Sequence, residues 1–481
     1  MTSLLEASPA QQAENTGHPR RWLGLFAILA ATLMNLLDST VVNIGGPSIE
    51  RDLGGGYGTI QWTAAVYTLT LAVGLLTGGR LGDMYGRKRL LLLGVVGFVT
   101  ASLLCGLAVS PETLIAARVL QGLFGAVMIP QGFGLIRDLF PPSEMGKAFG
   151  LMGPMIGLST ILGPIVAGLL VDANLFGTGW RMVFLINLPL GLAALSLGAA
   201  VLPSSTVNRA IRLDLLGTVL AAAAMFLLIF PLVQGRELGW PAWSLAMMVA
   251  SVPVFAVFAL YQRRRSASGA TPLIELSVFT KRAYVSGVVF VMAFFAAVVG
   301  IGLTIGMFLQ LGFGYSAQHA ALASAPWAVG AFLGTGIGAT QGPKLGRRVL
   351  HMGLVGLAAG CGLLYALLAW AGSGTSQLEL VGPLLVGGFG MGMVFIPLFD
   401  IIMAGVDDHE VGSASGALES LQQLGASLGV AVLGTVFFNG LGLRPTRTTA
   451  VHATELTLLV IIGLTATAFA LAWLLPKKAR D

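Results

Sequence analysis

Between Ala283 and Pro343 the chain runs for 61 residues without an Asp, Glu, Lys or Arg. A helix crosses a bilayer in about 20 apolar residues, so this run is too long for one crossing and suits two. The stretch Phe313-Gly314-Tyr315-Ser316-Ala317-Gln318-His319 is the polar break between them. The other charge-poor runs are approximately 22–50, 53–79, 90–111, 113–136, 148–171, 182–208, 215–235, 238–262, 349–378, 380–406, 411–443 and 456–476. With the long run split, they predict an all-α integral membrane protein of fourteen transmembrane helices. Backbone groups in lipid must be bonded within their own segment, which favours helices for such runs. The chain is only 10% charged, against roughly 25% for soluble domains, which excludes a soluble globular fold. Its 66 glycines suit helices that approach closely in lipid.

An even number of crossings puts both termini on one side. If that side is the cytoplasm, 21 of the 27 Lys and Arg residues fall there, as the positive-inside rule requires. The segment Gly79-Arg80-Leu81-Gly82-Asp83-Met84-Tyr85-Gly86-Arg87-Lys88-Arg89 supplies four of these cations between two uncharged runs. It reads as a tight cytoplasmic hairpin. The net charge of +6 is therefore a topology signal, and no nucleic-acid partner is expected. Cys105 and Cys361 lie inside apolar runs and read as buried, with no disulfide and no metal site. His319, His351, His409 and His452 read as solvated. Residues 1–21 read as a cytoplasmic tail, followed by a retained first helix rather than a cleaved signal.

A weak internal repeat is present. A shift of 260 residues lays Gly74, Gly78, Gly86 and Arg87 on Gly334, Gly338, Gly346 and Arg347. A shift of 266 lays Gly150, Gly163 and Gly168 on Gly416, Gly429 and Gly434. Two nearly equal offsets point to two six-helix halves in parallel repeat. The expected division is a six-helix bundle at 22–208, two inserted helices at 209–265, a cytoplasmic linker at 266–282, a second bundle at 283–476 and a tail at 477–481.

Charges inside a membrane are costly, about +2.5–3.5 kcal/mol on insertion scales, and are functional candidates by default. Asp38, Arg118, Glu419 and Asp400 qualify. Asp38 and Arg118 each stand roughly 10 Å from the outer ends of their helices at a rise of 1.5 Å per residue. An acid and a guanidinium at one depth suggest a shared polar site. Asp38 would bind and release a proton while Arg118 tunes it, because a nearby cation and burial act oppositely on a carboxylate. A purely structural ion pair is the alternative. Glu419, Gln422 and Gln423 share one helix face by their i, i+3 and i+4 spacing; that face would line a substrate cavity, or Glu419 is a snorkelling or gate-closing acid near the cytoplasmic interface. Trp62, Tyr67 and Trp327 lie on helices expected to flank it. Asp400 reads as structural. No phosphate-binding loop, paired metal ligands or Ser-His-Asp set is visible, so an enzyme is not expected.

Several motifs carry a family resemblance. Gly79, Leu81, Asp83, Gly86, Arg87 and Lys88 match the loop between helices two and three of the major facilitator superfamily. Leu37-Asp38-Ser39-Thr40-Val41-Val42-Asn43 is similar to the first-helix motif of its fourteen-helix drug:proton antiporters. Arg118-Val119-Leu120-Gln121-Gly122 resembles the fourth-helix motif associated with proton coupling. The segment from Trp180 to Gly191 resembles the sixth-helix signature of that branch. Gly163-Pro164-Ile165-Val166-Ala167-Gly168 is similar to the antiporter motif of the fifth helix, with Ser159 and Ala167 replacing two glycines by small residues.

The resemblance implies a proton-coupled exporter of small amphipathic or cationic drugs, working by alternating access. Its coupling ion is the proton, with no cofactor. Asp38 and Arg118 would couple the proton. Glu419, Gln422, Gln121 and Asn43 would line the cavity. Gly79, Asp83, Gly86, Arg87 and Asp138 would form the cytoplasmic gate, the alternative being that Asp83 and Arg87 only fix the hairpin turn and topology, and Ser159, Gly163, Pro164 and Gly168 would pack the fifth helix. A monomer in a bacterial plasma membrane is expected. The alternatives are a dedicated exporter of one self-made metabolite or antibiotic, and a non-transporting sensor on the same fold.

Overall fold

The computed structural model describes residues 18–477 apart from 142–143, 145–147, 149–150, 205–206, 208–212, 271, 404–405, 407–410 and 443–444. The side chains of Thr40, Val41 and Asn43, several between 152 and 162, and those of 411–413 also lie outside the description. The expected cavity position of Asn43 therefore lies outside the described side chains.

Fifteen α-helices fill the described chain, with no strand among the described residues. The first half contains α1 (Arg21–Leu53), α2 (Gly56–Tyr85), α3 (Arg87–Gly106), α4 (Pro111–Leu139) and α5 (Met152–Ala173). Its sixth crossing is α6 (Met182–Leu185) followed by α7 (Asn187–Val201). Next come α8 (Leu215–Glu237) and α9 (Ala242–Ala267). The second half is α10 (Arg282–Met307), α11 (Ala317–Leu345), α12 (Arg347–Ala371), α13 (Gln377–Met403), α14 (Val411–Leu441) and α15 (Arg447–Ala472). Thirteen segments are long and apolar enough to span a membrane. The 22-residue α5 fills the remaining crossing. The long uncharged run breaks where its sequence does: a π-helical turn at Phe308–Gly312 ends α10, and Ser316 caps α11 through the His319 N–H.

The sequence repeat is a packing repeat. Cβ atoms on Gly74 and Gly78 would strike Ala126 of α4 at 2.5 and 2.1 Å. Cβ atoms on their counterparts Gly334 and Gly338 would strike Phe389 and Met393 of α13 at 2.0 and 2.6 Å. In both halves the second helix thus lies on the fourth, backbone against backbone. The second offset marks the seam between halves. Gly168 of α5 meets the Ala317 carbonyl of α11, while Gly434 of α14 meets the Gln61 side chain of α2. Each half therefore sends its fifth helix across the other half's second.

The face that carries the two described chain ends is the terminal face, and its opposite is the far face. Along α2 and α14, Ser420 and Ser427 donate to the carbonyls of Ala72 and Ala65 at 2.6 and 3.1 Å. On the far face Gln310, in the π turn, donates to the Ile44 carbonyl of α1 at 3.0 Å. There too the Gln318 N–H donates to Asp172 at 3.0 Å. The halves therefore meet along α2 and α14 and again at their far ends.

The pair α8–α9 is tied to both halves. Trp62 of α2 donates to Gln234 of α8, and Thr435 of α14 donates to the Leu232 carbonyl, each at 3.0 Å. At the terminal face Asp214, just before α8, accepts from the Gly217 N–H, Tyr261 and Gln262 at 3.0, 2.8 and 2.7 Å. Burial pushes the Asp214 carboxyl up. These hydrogen bonds and Arg265 outweigh that and hold it below the ordinary carboxylate range. Arg80 donates to the carbonyls of Pro272 and Leu273 and so straps the following linker to α2.

One expectation is corrected. His351 is not solvated: its ring packs on Phe469 and Trp473, and its Nδ1 lies 3.0 Å from the Arg347 carbonyl. Trp62 faces α8, and its indole N–H is occupied by Gln234.

Candidate functional site

Asp38 and Arg118 meet. Arg118 Nη1 lies 2.5 Å from Asp38 Oδ2, and the two side chains are 1% and 0% exposed. Both groups sit among apolar helices because neither is left unpaired. Arg118 Nη1 also donates to Gln121 Oε1 at 2.8 Å, and Nε donates to the Thr63 carbonyl at 3.0 Å. Its guanidinium lies over the Tyr67 ring, 4.1 Å from the centroid, a further stabilisation of a buried cation. Tyr67 therefore sits beneath the ion pair and accepts from Asn35 at 2.5 Å, rather than standing on an open cavity wall.

The other carboxylate oxygen, Asp38 Oδ1, accepts from Gln121 Nε2 at 2.7 Å and Asn187 Nδ2 at 3.0 Å. Both amides also donate to Ser102 Oγ, at 2.7 and 3.0 Å. The Cys105 thiol reaches Gln121 Oε1 at 3.6 Å. The carboxylate is thus met by three donors from two helices: α4 supplies Arg118 and Gln121 and α7 supplies Asn187, while α3 supports both amides through Ser102. Such a cage stabilises a buried negative charge.

Gln121, expected on a cavity wall, is fully buried inside this cage. Asn187 and Ser102 are functional residues that the sequence analysis does not single out for a role. The available signal was a lone amide at the head of the apolar run from 187 to 201, since polar groups in such runs face a polar partner.

At the terminal face Arg87 bonds Asp83 at 3.1 Å and Asp138 at 3.2 Å. A left-handed Gly86, at φ 94°, lets the chain turn between α2 and α3. The Arg87 side chain then lies flat on Gly134 of α4, where a Cβ would strike it at 2.6 Å. Gly79 faces Pro130 of α4 at 3.8 Å.

Glu419, Gln422 and Gln423 are half-buried on α14. Their neighbour Ser420 points to α2. Among the described residues no hydrogen bond or ion pair reaches the three side chains. Trp327 packs on Gly387 and Gly388 of α13. Asp400 is exposed, a turn from the end of α13. In α5, Ser159 is buried and bonded to the Met155 carbonyl at 2.7 Å, beside Gly163 and Pro164. Gly168 of that motif touches the other half at Ala317.

Two repeated bundles of apolar helices, joined along α2 and α14 and at their far ends and holding a caged acid–base pair, define a multi-pass membrane carrier. The major facilitator superfamily model matches residues 28–430. The chain belongs to that superfamily, a family of transporters. It is 48% identical over 447 residues to a probable actinorhodin transporter of Streptomyces coelicolor, covering 92% of this chain and 77% of that one. It is 35% identical to a puromycin resistance protein of Streptomyces alboniger, covering 98% and 94%. It is 34% identical to a tetracenomycin C resistance and export protein of Streptomyces glaucescens, covering 88% and 77%. Among solved structures, a bacterial homologue of the human lysosomal transporter Spinster, inward-facing and unoccupied, superposes with a TM-score of 0.68. It is 17% identical and covers 96% of this chain and 99% of that one, a likeness of fold.

Proposed function

We propose that the protein exports small amphipathic or cationic antibiotics in exchange for protons, by alternating access across a bacterial plasma membrane. The observation that carries this reading is the caged Asp38–Arg118 pair. A buried carboxylate with one fixed cation is a site whose proton occupancy changes when the helices holding that cation move. The terminal face is the cytoplasmic one. Asp38 takes a proton when the site opens outward. The proton weakens its hold on Arg118, and the halves rock about the α2–α14 and α5–α11 crossings. The proton leaves inward as substrate leaves outward. Each proton moving inward contributes about 2.3 kcal/mol per 100 mV. Arg87, with Asp83 and Asp138, is the cytoplasmic latch. Glu419, Gln422 and Gln423 offer unfilled hydrogen-bonding groups to a substrate on α14. The protein acts as a monomer and needs no cofactor.

A dedicated exporter of one antibiotic is the second reading. It is favoured by similarity to proteins named for actinorhodin and for tetracenomycin C.

The test is drug accumulation in efflux-deficient cells expressing wild-type, Asp38→Asn or Arg118→Ala protein, with and without a protonophore. Lower accumulation of several unrelated compounds, abolished by the protonophore and by Asp38→Asn at equal expression, supports the multidrug reading. Protection against a single antibiotic class supports the dedicated one. Full export by Asp38→Asn rules out Asp38 as the proton site.

A further inference from the structure

The cage around Asp38 leaves one acceptor and one donor unused. Asn187 Oδ1 is buried with no hydrogen-bond partner, on a side chain that is 0% exposed. Ser102 Oγ accepts from two amides, and no acceptor for its own proton is found among the described residues. Buried amide oxygens are rarely left unpaired. Here the orphan belongs to an amide whose other end touches the carboxylate.

We propose that Asn187 is a reversible amide that presents N–H to Asp38 when the carboxylate is charged and C=O when it is protonated. The proposal rests on Asp38 being the proton site. A proton added to Asp38 Oδ1 makes an O–H that needs an acceptor. Every group around that carboxylate is a donor: Arg118 Nη1, Gln121 Nε2 and Asn187 Nδ2. Arg118 has no acceptor to offer. Gln121 cannot reverse, because its Oε1 is held by Arg118 at 2.8 Å and reversal would turn an NH2 onto a guanidinium. Asn187 has no such anchor on its oxygen. Rotated by half a turn about its last side-chain bond, its oxygen stands about 3.0 Å from both Asp38 Oδ1 and Ser102 Oγ, where the nitrogen stands now. It would then accept the new Asp38 O–H and the unused Ser102 O–H together.

The titratable groups facing Asp38 are Arg118 from α4, Tyr67 from α2 and Cys105 from α3. The helix that carries Asn187 contains no titratable residue. Asp172 of α5 and Arg282 of α10 stand at helix ends. The rotation is thus driven by the proton on Asp38 alone. Asn187 acts as a positioning residue for both protonation states.

The test is infrared difference spectroscopy, acid minus neutral, on full-length protein in liposomes, with carbon-13 asparagine in one sample. Asp38→Asn identifies the acid C=O band of Asp38. The expected result is that one labelled asparagine C=O band moves to lower frequency as the Asp38 acid band appears. Asn187→Leu should remove that movement and raise the acid band's frequency, since the acid loses its acceptor. Ser102→Ala should reduce the downshift. An Asp38 acid band with no moving asparagine band in the labelled wild type overturns the proposal, and that sample needs no substitution to fold. A wild-type spectrum without any acid band that Asp38→Asn removes overturns the proton-site reading, and this proposal with it.

Discussion

Replacing Arg118 by Met isolates what the buried ion pair contributes. The substitution keeps an unbranched chain but removes three hydrogen bonds: to Asp38 at 2.5 Å, to Gln121 at 2.8 Å and to the Thr63 carbonyl at 3.0 Å. It also removes the cation over Tyr67. Asp38 keeps the amides of Gln121 and Asn187 but loses its counter-charge. Breaking a buried pair from one side costs about 3–5 kcal/mol, because a buried charge is left behind. Asp38→Leu should cost a similar amount from the other side, leaving Arg118 with only carbonyl and amide partners. The double substitution leaves no buried charge, and replacing a whole buried pair by apolar residues is often close to neutral. The expected coupling in a double-mutant cycle is therefore large, with the double variant costing less than either single one. The assay is reversible unfolding in mixed detergent micelles, at one pH and at matched lipid content. If the double variant costs the sum of the singles, about 6–10 kcal/mol, the two residues do not interact and the site is misread. Single costs below about 1 kcal/mol, the range of exposed pairs, would refute the burial argument instead.

Gly168→Ala places a Cβ 2.7 Å from the Ala317 carbonyl. Such overpacking costs about 1–3 kcal/mol and should separate α5 from α11, read as increased labelling of a cysteine placed at the far end of α11. Arg87→Ala should change stability by no more than about 1 kcal/mol, because its pairs are part-exposed, yet it should reduce transport in proteoliposomes if the latch is needed. The Asp214 carboxyl is held below its ordinary value by its hydrogen bonds, so its contribution is complete above about pH 4, near the unfolded carboxylate value. That contribution falls away as pH drops further through the lowered folded value. Thermal unfolding between pH 6 and 3 should show an acid limb that Asp214→Asn flattens.

The crossings were legible because hydropathy is local: a 61-residue uncharged run has few options in water or in lipid. The shared depth of Asp38 and Arg118 was legible for a related reason, since helical rise converts residue number into height. The sequence points Gln121 to a cavity wall, whereas the structure buries it in the cage, because height says nothing about which way a side chain faces. Asn187 and Ser102 carry no charge and so give no signal at a distance, and their role appears only where α3, α4 and α7 converge. The glycine repeat lay between the two cases. Its spacing marked two related halves, but spacing alone did not reveal that Gly74 and Gly78 seat on α4 while Gly334 and Gly338 seat on α13.

The sequence by itself determined that this chain crosses a membrane many times, that its halves are related, and that a buried acid and base stand at one level. Those properties follow from composition and periodicity along a single helix. Which helices touch was decided only by the tertiary structure. It placed Asp38 against Arg118 and closed the carboxylate's other oxygen with two amides. It also set α8 against both α2 and α14. Helices in lipid gain little from apolar contact as such and find partners through small-residue packing and a few hydrogen bonds, and those contacts join residues as much as 370 positions apart.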